Sequence, residues 1–254
     1  MSLSAVVITC NEEHNIERCL QSVAFADEIV VLDSFSTDRT VELARRYTDN
    51  VTQREFAGFG EQWAAALALA TCEWVLVIAA DEVVTPELAK EIQAAVKRGD
   101  RDGYRMPRLT EFVGRRMRHC GWYPDYQLRL ARRSRAWFPD RLVHESMHVD
   151  GKIGTLKGDM LHYSHPDLDV FVRKMATYAR AAARQKMREG RRFRATDLFI
   201  APAFTFFKTY VIKQGFRDGW HGFVLSLLLG ASTVLRYSML WEMTGQERSS
   251  KEQR

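Results

Sequence analysis

The chain opens with a short apolar run at residues 3–8 that breaks into the polar stretch Thr9-Cys10-Asn11. Apolar positions then take helical spacing, with Ile16, Leu20 and Val23 on one face. Residues 28–32 are apolar again and predict a second strand ending at Asp33, with a polar turn over 34–37. A helix over 38–47, a third strand over 51–56, a glycine-containing loop and an alanine-rich helix over 62–71 follow. The next strand, 74–78, is apolar at every position, as suits a strand buried on both faces of a parallel sheet. It runs through Ala79-Ala80 into two adjacent carboxylates, Asp81-Glu82. Thr85 is placed to cap a helix begun by Pro86, with Leu88, Ile92 and Val96 inward. Repeated β-α units of this kind predict an α/β fold with a doubly wound, mostly parallel sheet.

Beyond residue 100 the pattern changes. Strand-like segments at 103–109, 127–130 and 160–164 are separated by loops rich in Arg, His and aromatics, the usual place for acceptor recognition. A strong helix is predicted over 167–189. The tail from 198 to 243 is apolar and aromatic, broken by Gly215, Gly219, Gly222 and Gly230. Its uncharged run at 223–235 has 13 residues, fewer than the ~20 that span a bilayer. The expected organisation is a domain over 1–165, with a nucleotide-binding half (1–100) and an acceptor-side half (101–165). A basic helix and an amphipathic extension over 166–254 complete it.

Composition narrows the class. With 254 residues, 46% of them hydrophobic, the chain can bury one sizeable core. No secretion signal is read at the N-terminus, and the four cysteines have neither metal-type nor disulfide-type spacing, which points to a cytoplasmic protein. The net charge of +5 is local: residues 173–194 hold nine basic side chains and one acidic, leaving the remainder slightly acidic. No nucleic-acid module accompanies that block. Followed by an aromatic tail, it fits attachment to an anionic membrane surface, with Phe216, Trp220, Phe223 and Trp241 suited to the interface. The plainer alternative has them packing as core beneath the helix.

Three strand ends carry the candidate chemistry: Thr9 to Glu13, Asp33 to Asp38, and Asp81-Glu82. In a doubly wound sheet these line one crevice at the switch point. Asp33 could accept from a base N–H, while Thr9, Asn11 and Ser36 could position base or ribose. A divalent cation on Asp81, Mg²⁺ or Mn²⁺, would neutralise a diphosphate, because hard oxygen ligands suit those ions. There is no glycine-rich phosphate loop, so phosphate charge must be met by metal and basic side chains.

The stretches Val7-Ile8-Thr9-Cys10-Asn11-Glu12-Glu13, Val30-Val31-Leu32-Asp33-Ser34-Phe35-Ser36-Thr37-Asp38 and Ala80-Asp81-Glu82 resemble family 2 glycosyltransferases of the GT-A fold. Gly121-Trp122-Tyr123-Pro124-Asp125, Gln127-Leu128-Arg129-Leu130, Val143-His144-Glu145, Leu161-His162-Tyr163-Ser164 and Gln214-Gly215-Phe216-Arg217-Asp218-Gly219 are most similar to the lipopolysaccharide-core β-glucosyltransferase branch. The resemblance implies inverting transfer of a hexose, glucose above all, from a nucleotide diphosphate sugar such as UDP-glucose to a lipid-linked saccharide. The place of work would be the inner face of the cytoplasmic membrane. By position, Thr9, Glu12 and Asp33 would bind the nucleotide and Asp81 the metal and diphosphate. Glu145 would be the general base, with Asp125 as its rival. Arg129 would help hold the pyrophosphate, and His162 would ligate the metal or contact the acceptor.

Three positions depart from the family pattern. Ala79 stands where the first Asp of an Asp-x-Asp motif is usual, and Trp63-Ala64 where Lys-Asn is common. Asp81, helped by Glu82, could suffice for the metal. Two other readings therefore remain: a catalytically degenerate protein of this fold that binds nucleotide sugar or glycolipid, and a transferase acting on a protein or small-molecule acceptor.

Overall fold

A computed structural model describes residues 1–139 and 146–252, with side chains as far as residue 245. The chain divides into two compact units, Met1–Leu109 with Pro124–Tyr163, and Thr110–Tyr123 with Ser164–Arg254.

In chain order the elements are β1 (Leu3–Thr9), α1 (Ile16–Ser22), β2 (Glu28–Asp33), α2 (Thr40–Ala44), β3 (Val51–Gln53), α3 (Phe59–Leu69) and β4 (Trp74–Ala79). There follow β5 (Glu82–Val84), α4 (Pro86–Arg98), β6 (Gly103–Phe112), β7 (Arg115–Arg116, in the second unit) and β8 (Asp125–Arg132). Then come β9 (Ala136–Trp137), β10 (His148–Val149), β11 (Ile153–Thr155) and β12 (Met160–His165). The main sheet has the order β3-β2-β1-β4-β8-β6-β12-β5. β1 to β4 are mutually parallel, and β8 reverses direction against β4. The strand order turns at β1, whose two neighbours are β2 and β4, so their carboxyl ends form the switch point where open α/β sheets bind ligands.

The apolar run of β4 is buried on both sides. Trp74, Leu76 and Ile78 join a core with Ile16, Leu20, Leu88 and Ile92, while Val75 and Val77 face the other way onto Trp63 and Ala66. Helices therefore cover both faces, as expected of continuous apolar strands. Thr85 caps α4 as the sequence indicated, its hydroxyl accepting from Leu88 N–H at 3.3 Å. Two predicted elements are shorter than expected. The 38–47 helix keeps only Thr40–Ala44, and the third strand only Val51–Gln53. The first is trimmed because the Asp38 side chain accepts from Glu13 and Thr40, which turns it into the entry to the helix.

In the second unit α5 (Leu168–Arg188) is capped by Asp167, whose carboxylate accepts from Val170 N–H at 2.7 Å. α6 (Ile200–Phe207) continues as a π-helical turn over Lys208–Ile212. After a 3₁₀ turn at Gly215–Asp218 comes α7 (Gly219–Glu252). Asp218 is buried and accepts from both the backbone N–H and Nδ1 of His119, at 2.8 and 2.9 Å. A Cβ on Gly222 would lie 1.9 Å from the Gly215 carbonyl, so the start of α7 needs glycine there. The charge-free run had suggested that the tail is too short to cross a bilayer. In the structure the segment Gly215–Gly245 contains an 18-residue window of mean hydropathy 1.6 and is long and apolar enough to cross, by length and composition. The uncharged stretch understated it because Arg236 interrupts the count but not the helix.

Candidate active site

The three predicted strand ends do meet. In the β1–β2 pairing Thr9 is opposite Asp33, and in the β1–β4 pairing Ile8 is opposite Ala79. Ser34 N–H donates to the Thr9 carbonyl at 2.9 Å and Ala80 N–H to the Ile8 carbonyl at 3.2 Å. The loops after β1 and β2 are then laced together by side chains. Asn11 N–H donates to Ser36 Oγ (2.8 Å) and the Asn11 side-chain carbonyl accepts from Thr37 N–H (2.8 Å). Glu12 N–H donates to Thr40 Oγ1 (2.8 Å) and Glu13 N–H to Asp38 (3.1 Å). Asn11 and Phe35 both hold positive φ, 54° and 56°, which lets these tight loops reach each other.

Asp33 is fully buried at the centre of this lacework. Its carboxylate accepts from Ser36 N–H and from Gln53 Nε2, both at 2.9 Å, and from the Ser36 hydroxyl. Gln53, at the end of β3, was not singled out in the sequence. The rule that found Asp33 finds it too, since it ends the neighbouring strand in register with Asp33. Gln62 was also missed; its Nε2 donates to Ser34 Oγ at 3.0 Å. Two buried polar atoms here lack a partner: the hydroxyl Oγ1 of Thr9, the residue paired with Asp33, and the acceptor Oε1 of Gln62, whose Nε2 bonds Ser34. Partial burial pushes the Asp38 carboxyl up, but hydrogen bonds from Thr40 and Glu13 outweigh it and hold Asp38 below the usual carboxylate range. Burial, then the Asp33, Asp38 and Glu12 charges, push the Cys10 thiol up, which disfavours its thiolate.

The Asp81 side is built differently. Asp81 Oδ2 lies 3.3 Å from His162 Nε2, and the Asp81 carbonyl accepts from Tyr163 N–H at 2.8 Å. That contact exists because β5, which the sequence reading did not foresee, pairs antiparallel with β12 and sets Glu82 opposite His162. Glu82 does not assist Asp81. It points inward, is fully buried, and accepts from Arg129 Nη2 at 2.8 Å, Arg108 Nη1 at 3.4 Å and Ala79 N–H at 2.9 Å. Arg108 also grips Asp125 at 2.6 Å, and Gln127 Nε2 donates to the other Asp125 oxygen at 2.8 Å. Burial pulls the Arg108 guanidinium down, yet the Glu82 and Asp125 carboxylates more than offset it and keep it charged. Arg129 stacks over the Trp63 ring, 5.6 Å from its centroid, and its buried Nε has no partner. Among the described residues no group of three or more His, Cys, Asp or Glu could hold a metal ion. Glu145 lies outside the described residues.

The family model for glycosyl transferase family 2 matches residues 4–147. The chain belongs to that family. An uncharacterized glycosyltransferase of Rickettsia bellii is 30% identical over 257 residues, covering 96% of this chain and 87% of its own. The lipopolysaccharide core biosynthesis glycosyltransferase LpsC of Rhizobium meliloti is 28% identical, covering 88% and 86%. Among solved structures, Staphylococcus aureus TarS 1-349 in complex with UDP-GlcNAc aligns with a TM-score of 0.51 at 16% identity, over 97% of this chain and 92% of that one. This glycosyltransferase thus has the GT-A-type α/β fold, with its family match confined to the segment that carries the strand-end crevice.

Proposed function

We propose that this family 2 glycosyltransferase moves a hexose, glucose in the first instance, with inversion from UDP-glucose to a lipid-linked saccharide of the cell envelope. The observation that carries the reading is the meeting of Thr9, Asp33 and Asp81 at the switch point, with the Thr9 hydroxyl and Gln62 Oε1 of the same strand ends and loops still unsatisfied. A buried polar atom without a partner calls for an explanation, and a bound ligand is the one this reading supplies. Thr9, Asn11, Glu12, Asp33 and Ser36 take the nucleoside. The relative named for lipopolysaccharide core biosynthesis supports the envelope acceptor.

Asp81 and His162 are suited to hold a divalent metal. Two neighbouring ligands on an octahedral Mg²⁺ or Mn²⁺ are separated by about 3 Å, and these two atoms are 3.3 Å apart. The diphosphate itself would supply further oxygens, and the bound ion would offset charge growing on the leaving group. Arg129, fixed by Glu82 and Trp63, keeps donors available on the same side for phosphate oxygens. Glu145 takes the acceptor hydroxyl proton. Asp125 is the weaker candidate, because Arg108 and Gln127 occupy both its oxygens and stabilise its charged, poorly basic form. The membrane-facing acceptor suits an enzyme resting on the inner face of the cytoplasmic membrane.

Calorimetry with UDP-glucose, with and without Mn²⁺, tests the donor site; no heat in either condition would sink the reading. Glu145→Gln is expected to abolish transfer while leaving donor binding intact, and Asp125→Asn to leave the base function in place. A second reading, a degenerate protein that binds donor or glycolipid without catalysis, is favoured by one observation. Ala79, Ala64 and the buried Trp63 remove polar groups from this same region. Donor binding without transfer or donor hydrolysis would select it.

A further inference from the structure

The second unit presents one apolar face that the described residues leave uncovered. Along α6 and its π-helical continuation, Ile200, Phe204, Phe207 and Val211 recur at i, i+4, i+7 and i+11, and all four are exposed. This is the spacing of a single helical stripe. Phe216 and Trp220 extend it, the latter 79% exposed. The opposite face of the same segment is spoken for. Phe206 and Tyr210 meet Phe223 of α7 with ring centroids 5.9 and 5.5 Å apart, and the Thr205 hydroxyl lies 3.2 Å from that of Thr233. The stripe is therefore surplus to packing, and so large an apolar patch marks an interaction surface.

Charge identifies the occupant. Between Phe199 and Trp220 every exposed charged residue is a cation: Lys208, Lys213 and Arg217. The single carboxylate, Asp218, is buried on His119. Aromatics on one face with flexible cations beside them match an anionic lipid surface, where rings enter the headgroup layer and cations reach phosphates.

The packing of α7 decides between lying on the bilayer and crossing it. Phe171 of α5 shares a buried cluster with Leu225 of α7, and Ala183 of α5 another with Tyr237 and Leu240. α5 thus runs alongside α7 through its most apolar stretch. Between Phe171 and Met187 it carries Arg173, Lys174, Arg180, Arg184 and Lys186 and no acidic residue. A bilayer crossed by α7 would engulf those five cations, each of which costs more than several leucines return. Crossing would require α5 to be stripped away.

We propose that this chain is monotopic: the α6 stripe from Ile200 to Trp220 lies in the plane of an anionic bilayer surface, and α7 supports it from behind without spanning. This deepens, and rests on, the reading of a lipid-linked acceptor, since it fixes which surface of the enzyme meets the lipid.

The test is sedimentation of the full chain with vesicles of phosphatidylcholine, alone or mixed with phosphatidylglycerol, without donor or acceptor. Binding to the mixed vesicles is expected, released by high salt. It should be weaker by about a hundredfold on phosphatidylcholine alone and for Lys208→Gln/Lys213→Gln/Arg217→Gln. Phe204→Ser/Phe207→Ser should weaken it by a similar factor, while calorimetry shows UDP-glucose binding unchanged in both variants. Undiminished vesicle binding by the serine variant overturns the proposal. So does retention through high salt and alkaline wash, which would mean that α7 spans, or a lipid-free dimer that the serines break. Because donor binding is read separately, loss of the UDP-glucose heat in the unaltered chain would count against the transferase reading and leave the docking result standing.

Discussion

Asp33 and Asp81 both follow strands that flank β1, yet their surroundings are opposite in character. Around Asp33 the acceptors and donors are supplied by neighbouring loops and by Gln53, so the carboxylate is held before any ligand arrives. Around Asp81 one residue of the Asp-x-Asp pattern is Ala79, and the adjacent Glu82 has turned away into a buried network with Arg108 and Arg129. The Asp33 side, the proposed base side, is preorganised by polar contacts, whereas the Asp81 side, proposed for the diphosphate, is organised from behind by a buried charge cluster. A carboxylate adjacent in sequence to a candidate metal ligand can thus serve the scaffold.

The contrast can be broken most forcefully at Glu82. Glu82→Gln leaves two guanidinium groups facing a neutral partner in the interior and is expected to cost about 3–5 kcal/mol of stability. Denaturant unfolding measures it, and an unchanged midpoint would show that the cluster is not a support. Asp33→Asn comes next. It places an amide donor against Ser36 N–H or Gln53 Nε2, and UDP-glucose affinity should drop about a hundredfold by calorimetry. Ala79→Asp sharpens the comparison in the other direction. A restored carboxylate should tighten donor binding about tenfold with Mn²⁺ and leave it unchanged without; no gain would mean that the missing group does not limit the site.

The smallest effect belongs to the amino-terminal end of the sheet and serves as a control. Partial burial pushes the Glu28 carboxyl up, but hydrogen bonds from the Ser4 hydroxyl, Thr71 and Cys72 N–H prevail and hold it below its ordinary 4.5. A depressed folded-state value means that its stabilisation is complete above the ordinary value and fades as pH falls through the lowered one. Glu28→Gln should cost about 1 kcal/mol at neutral pH and flatten the loss of stability on acidification below 4.5, with donor binding untouched.

Much of this was legible in the chain itself. The runs that became β1, β2 and β4, the helical spacing of Leu88, Ile92 and Val96, and the meeting of Thr9, Asp33 and Asp81 all follow from local pattern and one topological rule. The burial of Glu82 did not follow. Its partners Arg108 and Arg129 are 26 and 47 residues away, and β5 is only three residues long, too brief for periodicity to register. Gln53 and Gln62 escaped because amides carry no charge to draw attention, although each ends beside Asp33 or its loop. The tail misled for another reason. Counting uninterrupted apolar residues measures composition along a line, whereas helix burial depends on faces, and Arg236 lies on a helix whose other faces stay apolar.

The unpartnered Thr9 Oγ1 and Gln62 Oε1 carry a consequence for substrate choice. A site that leaves a buried acceptor unmet discriminates by refusal. Gln62 Oε1 can only accept, so a nucleobase edge carrying an N–H would satisfy it. One offering only lone pairs or C–H would leave it stranded and be turned away, by factors that reach about 10⁴ in sites built on this plan. The Thr9 hydroxyl can donate as well as accept and refuses neither. In the proposed donor pocket, the selectivity of this enzyme among nucleotides would come less from what it grips than from what it cannot tolerate leaving empty.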